Sequence, residues 1–342
     1  MPNRLKSGIS LRCPACRAGS LGEQPQALVC PSCGAAFPCL PSGACDLLKQ
    51  SSADEAAQRE VYDEMQAGHW ATSDPMYSYT TLTGIRFTRA LRRLKLPQGA
   101  QVLEVGCASG PVMASLEANY GARAFGLDVS LASVDMQLRR RGNFNYDAVA
   151  ASALDLPFAD ATFDAVVSFD VIEHLEKPEA FWAEAARVLK PGGKALVRGA
   201  VMDFALTVDW LRFHLDHGRW MARMDRAGHF YKNFRGKRQH ADYARAAGLT
   251  VTRVRGSDLF WENLADYYML PLLFSLAGRR SPTATTAPKD AEVKPLELRR
   301  PNSMAHKLWR AWLTLTSWAL WPEKVLSALG FGASAYFEVR RP

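Results

Sequence analysis

Val102-Leu103-Glu104-Val105-Gly106-Cys107-Ala108-Ser109-Gly110-Pro111 reads as a buried apolar strand that enters a glycine turn and then a helix. Gly106 lets the backbone turn sharply and approach a ligand closely, and Gly110 clears space where the helix begins. Pro111 suits a first helical position, because its missing N–H would have had no intrahelical partner. Further on, Asp128 ends a second apolar run, Ala124-Phe125-Gly126-Leu127, and puts a carboxylate at the tip of the next strand. An acid about 20 positions after such a turn is where nucleotide-binding folds hold a ribose. The pair points to a nucleoside cofactor. The G-x-G-x-x-G spacing of a pyrophosphate cradle is missing, and Glu104 stands two residues ahead of the first glycine. That acidic strand end suits a ligand carrying an ammonium.

Working outward, short apolar strands alternate with helical stretches. Strands are expected at 101–105, 123–127, 146–151, 163–169 and 195–198. Helices are expected at 110–119, 130–141 and 178–188, with at most a turn at 157–160. This alternation predicts an α/β fold with a doubly wound, Rossmann-like parallel sheet whose ligands sit at the carboxyl ends of its strands. Gly192-Gly193 is expected to turn the chain into the fifth strand. Beyond it come a helix at 240–247, a strand at 249–255, and a last strand at 333–339 that completes the sheet antiparallel.

Cys13-Pro14-Ala15-Cys16 and Cys30-Pro31-Ser32-Cys33 are two C-x-x-C knuckles separated by thirteen residues. Tetrahedral zinc takes four soft ligands, and two short knuckles supply them. A structural Zn2+ site on Cys13, Cys16, Cys30 and Cys33 is therefore expected, with Cys39 and Cys45 outside the metal shell. A module this short builds little core of its own, so metal binding would supply most of its folding energy.

The chain of 342 residues is 48% hydrophobic and carries a formal charge of +8, with its densest basic groups at Arg139-Arg140-Arg141 and Arg235–Arg238. A solvated face explains both groups; RNA, an acidic substrate or anionic lipid is the alternative. The N-terminal residues lack the apolar core of a secretory signal, and no run reaches ~18 apolar residues. Cytoplasmic location is the expectation, with membrane association as an option. An insertion of some 75 residues, 258–332, separates the last two strands and holds a polar stretch from Arg279 to about Pro301. Trp309, Trp312, Trp318 and Trp321 are four of the nine tryptophans. They form either a core seam or a greasy lid that contacts acceptor or membrane.

Six segments, in order and register, carry a resemblance. They are Leu103–Gly110, Gly126-Leu127-Asp128-Val129-Ser130, Asp155-Leu156-Pro157-Phe158, Phe163-Asp164-Ala165-Val166-Val167, Val171-Ile172-Glu173-His174-Leu175 and Leu189-Lys190-Pro191-Gly192-Gly193. Together they resemble class I S-adenosylmethionine-dependent methyltransferases of the small-molecule branch that includes quinone-biosynthesis enzymes. The family usually has glycine at the place of Ala108 and aspartate at the place of Ser152. The first 48 residues resemble the zinc ribbons that accompany many methyltransferases.

The resemblance implies a zinc ribbon (1–48), a helical cap on the cofactor pocket (49–95) and a methyltransferase domain (96–342). It implies S-adenosyl-L-methionine as cofactor, with Glu104, Gly106, Cys107, Gly110, Asp128, Val129, Ser152, Ala153 and Phe169 around it. Tyr62, Trp70, Tyr77 and Tyr79 are aromatic candidates for the pocket wall. His174 and His229 are the candidate bases, a packing role being the alternative for each. Cys107 reads as a small packing group. The acceptor implied is small or lipid-like and methylated at oxygen or carbon. Two rival readings stand beside it: an RNA methyltransferase that grips phosphates with the ribbon and arginines, and a non-catalytic partner of the same fold. The oligomeric state stays open.

Overall fold

The computed structural model describes residues 5–48, 53–68, 82–108, 110–205, 207–226, 233–259 and 321–342, with isolated positions between 260 and 320. Three short strands, β1 (Gly22–Gln24), β2 (Ala27–Val29) and β3 (Ala36–Pro38), form an antiparallel sheet in the ribbon. Two helices follow, α1 (Ala53–Gly68) and α2 (Leu82–Leu94).

The main sheet then builds up by alternation. β4 (Gln101–Val105), α3 (Pro111–Tyr120), β5 (Arg123–Asp128), α4 (Leu131–Arg140), β6 (Asp147–Ala150), β7 (Phe163–Phe169), α5 (Pro178–Val188) and β8 (Leu189–Ala200) come first. After them lie α6 (Val208–Leu215), α7 (His217–Arg226), α8 (Lys237–Ala246), β9 (Thr250–Ser257), α9 (Trp321–Ala328) and β10 (Ser334–Arg340). The seven strands lie in the order β6-β5-β4-β7-β8-β10-β9, with β10 antiparallel to both neighbours. This is the expected doubly wound sheet. The order reverses beside β4, so the carboxyl ends of β4 and β7 open a crevice.

Local chemistry explains the element ends. β4 and β7 are nearly continuous apolar runs because helices cover both faces. Pro111 and Pro178 occupy the first turns of α3 and α5. The Ser130 hydroxyl accepts from the Ser133 N–H at 3.0 Å and caps α4. Residues 157–160 form bends and no helix.

One expectation is corrected here. Lys190-Pro191-Gly192-Gly193 is not a separate turn but an irregular stretch inside β8, whose pairing jumps from Phe163↔Leu189 to Ala165↔Lys194. Gly192 takes up the extra residues at φ 78°. The ribbon also has a core in common with the main domain: Ile9, Leu11, Cys13, Leu28 and Leu47 pack in one cluster with Leu103, Phe125, Val149 and Phe158. A second cluster on the other face gathers Leu91, Leu94, Met113, Leu116 and Tyr146. Most of the insertion, including 279–301 and Trp309 and Trp318, lies outside the described residues, as do Trp70, Tyr77, Tyr79 and His229.

Candidate active site

A cavity of about 600 Å³ opens at the carboxyl ends of the parallel strands. Its floor is the turn after β4. Gly106 has φ 80°, and a Cβ there would stand 2.1 Å from Val171 Cγ2, so only glycine fits. Ala108 also adopts the left-handed conformation, at φ 41°, where the family usually has glycine. At the tip of β5, the Asp128 carboxylate lines the cavity and accepts the Ala108 N–H at 2.9 Å and the Ser130 N–H at 3.0 Å. Burial pushes its pKa up, against the pull of those two N–H groups.

Of the residues singled out from the sequence, Gly106, Asp128, Val129, Ala153, Phe169 and His174 line this cavity. Four others stand just behind the wall. Glu104 is buried with its Oε2 lacking a partner among the described residues. Its carboxyl is raised well above the ordinary range by burial and then by Asp128. Cys107 donates to Gln137 Oε1 at 3.1 Å, as a packing group would. Gly110 (φ 85°) faces the Gln137 side chain, which a Cβ would meet at 2.7 Å. The Ser152 hydroxyl bonds Glu55.

Helix α1 roofs the cavity with Glu55, Gln58 and Tyr62. The Gln58 amide donates to the His174 carbonyl, which also accepts from Asn233 Nδ2 at 3.1 Å. The Tyr62 hydroxyl lies 3.0 Å from His174 Nε2, edge-on to the imidazole. His174 is only 5% exposed. Burial, then the negative charges of Glu173, Asp128 and Asp170, raise the Tyr62 pKa, so its hydroxyl keeps its proton.

Past Phe169 the cavity becomes a mixed chamber. Phe204, Trp220, Met224 and Phe234 form an apolar wall. Opposite them Arg198, on β8, pairs with both Asp170 at the end of β7 and Asp258 after β9. Its guanidinium sits 5.3 Å from the Phe87 ring centre and 5.9 Å from that of Tyr336. Both aspartates hold left-handed backbone, at φ 57° and 58°, a conformation kept where surroundings enforce it. Arg198 is 6% exposed and Asp258 10%, whereas Asp170 keeps 47% of its side-chain surface, turned to the cavity. The sequence reading missed Arg198 and Asp258. They come from separate strand ends, and no local motif joins them.

Two predictions arise here. Arg198→Met leaves two carboxylates sharing no cation and is expected to lower unfolding free energy by about 3 kcal/mol in urea titrations; an unchanged midpoint would refute the role. Glu173, only 1% exposed, is raised to about 7, chiefly by burial. Its folded form therefore holds a proton that the unfolded chain releases near pH 4. The stability it contributes is complete below about pH 4 and is lost as pH climbs to 7. Melting temperature of the ligand-free chain should fall across that window, and Glu173→Gln should flatten the slope.

In the ribbon the four cysteine sulfurs all lie within 4.8 Å of one another. Cys13 Sγ stands 3.8 Å from Cys33 Sγ and Cys16 Sγ 3.6 Å from Cys30 Sγ. Tetrahedral zinc with Zn–S bonds of about 2.3 Å separates its sulfurs by about 3.8 Å, so the donor set fits that ion. Each knuckle turns through a left-handed residue after its second cysteine, Arg17 (φ 58°) and Gly34 (φ 73°). Cys39 and Cys45 lie outside the cluster and form a disulfide, a pairing the sequence reading did not foresee.

Comparison with known proteins agrees with this geometry. A family model described as a methyltransferase domain matches residues 103–197. The ubiquinone biosynthesis O-methyltransferase of Xanthomonas axonopodis pv. citri is 31% identical over 194 residues, 55% of this chain and 77% of that protein. O-methyltransferase cnsE of Penicillium expansum is 30% identical over 166 residues, 42% of this chain and 58% of that protein. This chain spans little more than half the length of several such curated relatives, 58% and 59% for two of them. Among solved structures, phosphoethanolamine N-methyltransferase 2 of Haemonchus contortus with S-adenosyl-L-methionine superposes at a TM-score of 0.55. The match has 15% identity and covers 90% of this chain and 62% of that one. It shows a common fold.

Proposed function

Because the chain belongs to the class I S-adenosylmethionine-dependent methyltransferases, we propose that it methylates a small or lipid-like hydrophobic acceptor at oxygen or carbon. One observation carries this reading. A single cavity joins a glycine turn and strand-end acid at one end to the apolar wall of Phe204, Trp220, Met224 and Phe234 at the other. Its volume of about 600 Å³ suits a nucleoside donor and a compact acceptor together. Relatives named as a ubiquinone-biosynthesis O-methyltransferase and a 24-methylenesterol C-methyltransferase support an apolar acceptor.

The residues fit the donor. Asp128 has lone pairs left for ribose hydroxyls after accepting two backbone N–H groups. Val129 and Ala153 flank the adenine side, with Ser152 behind them, and Phe169 closes the boundary with the acceptor end. Glu104, with an orphaned buried oxygen behind the Gly106 turn, suits the positive end of an amino acid. Cys107 and Gly110 shape the loop. Bound S-adenosylmethionine supplies an activated methyl on a cationic sulfur. The protein's part is to align the acceptor, exclude water and take a proton. His174 is the proposed proton acceptor, reached through the Tyr62 hydroxyl; His229 stays a second candidate.

The proposal extends to zinc on the four cysteines and to peripheral lipid contact by the insertion. Exposed Met304 and Leu315 support the latter, while no helix among the described residues is long and apolar enough to cross a membrane. Calorimetry with S-adenosylhomocysteine should give one site per chain. Incubation with methyl-labelled cofactor should then label hydroxylated aromatic or polyprenylated phenols. Label in bulk tRNA or rRNA alone would overturn the acceptor class, and no nucleoside binding would overturn the whole reading.

A further inference from the structure

The Cys39–Cys45 disulfide closes a hairpin that also holds the Leu40 N–H to the Ala44 carbonyl at 2.8 Å and the Gly43 N–H to the Leu40 carbonyl at 2.9 Å. Cys45 is buried, and Cys39 is partly exposed. The hairpin is not an isolated ornament of the ribbon. Two lines of contact run from it to the cofactor end of the cavity, and both start within two residues of Cys45.

The first line is backbone. The Cys45 carbonyl accepts the Ala150 N–H at 2.9 Å, and the Leu47 N–H donates to the Ala150 carbonyl at 2.8 Å, so residues 45–47 lie along β6 like an added strand. Ala150 pairs with Asp128 across the sheet, and the next residue, Ala151, donates to the Asp128 carbonyl at 2.9 Å and lines the cavity. The second line runs through side chains. Asp46 pairs with Arg59 of α1 at 2.8 Å, and its other oxygen accepts the Leu48 N–H at 3.1 Å. Further along the same helix, Asp63 bonds the Ser130 hydroxyl and accepts the Ala132 N–H at 3.3 Å. Helix α1 is thus tied to the ribbon through Asp46 and to the start of α4 through Asp63. Beside these ties it presents Gln58 and Tyr62 to the cavity.

We propose that the Cys39–Cys45 pair is a redox site, acted on by thiol reductants, whose state sets the affinity of the cavity for its nucleoside. The proposal rests on the reading of that cavity end as the S-adenosylmethionine site. An external thiolate attacks Cys39 Sγ, the reachable sulfur. The Cys39–Cys45 bond breaks with its electron pair leaving on Cys45 Sγ, which takes a proton. A second thiol attacks the mixed disulfide, releasing Cys39 as a thiol and the reductant as its own disulfide. Two electrons enter the protein, and oxidised glutathione reverses the exchange. Without the cross-link the hairpin gains freedom next to Asp46 and the Ala150 pairing. The roof and one wall of the site must then be ordered when the nucleoside binds, which weakens binding.

The test uses the full zinc-loaded chain, oxidised with oxidised glutathione or reduced with a phosphine, and titrated with S-adenosylhomocysteine by calorimetry. Reduction is expected to weaken binding about 5- to 20-fold, with the zinc content equal in both samples by elemental analysis. Cys39→Ser with Cys45→Ser should match the reduced protein and ignore the reductant. Asp46→Asn should weaken binding in the oxidised state. Equal affinities in the two states, or a pair that stays as thiols under oxidised glutathione by mass spectrometry, would overturn the proposal. Absence of binding in both states would instead remove the cofactor reading on which it stands.

Discussion

Asp128→Ala is expected to weaken S-adenosylhomocysteine binding by about 10²- to 10⁴-fold. A carboxylate that accepts from two ribose hydroxyls loses two charge-assisted hydrogen bonds, each worth about 1.5–3 kcal/mol, and each 1.4 kcal/mol is about tenfold in affinity. The same side chain holds the Ala108 and Ser130 N–H groups, so the variant also loosens the Gly106 loop. Asp128→Asn keeps an acceptor oxygen and should fall between wild type and alanine. A melting curve on each variant separates lost binding from lost folding. Affinity for the alanine variant within threefold of wild type, in a folded protein, would remove Asp128 from the site.

Cys30→Ser, or stripping of metal with a strong chelator, should lower the melting temperature by more than about 10 °C. Zinc-finger peptides draw about 10–16 kcal/mol of folding free energy from their ion, and 1 kcal/mol moves the melting point of a domain of this class by about 2–4 °C. The loss does not stop at the ribbon. Cys13 and Cys30 are buried in the cluster that holds Leu103 and Phe125 of the central strands, so freeing the knuckles opens the main core. Nucleoside affinity should decline with it, through the Cys45–Ala150 pairing. Elemental analysis that finds no zinc, with an unchanged melting curve for Cys30→Ser, would refute this.

Leu211 and Leu215 are exposed apolar residues of α6, the helix that also lends Asp209 and Arg212 to the cavity. The next helix, α7, adds Trp220 and Met224 to the same wall.

What the sequence determined by itself is the nucleotide end. A continuous apolar run makes a buried parallel strand, a glycine that must adopt positive φ makes the turn, and a strand-end acid waits one βα unit later; each is a local consequence of side-chain type and spacing. The two C-x-x-C knuckles were legible for the same reason, since the metal's demands act over four residues. The tertiary structure alone decided the rest. Arg198, Asp170 and Asp258 meet because the sheet order brings β7 next to β8 and sets β10 and β9 beyond it. Tyr62 reaches His174 because α1 folds over strand ends that follow it by more than a hundred residues. The ribbon's share in the main core and its disulfide-closed hairpin beside β6 are likewise contacts between distant segments. Such contacts depend on how whole faces pack, and no periodicity along the chain records them.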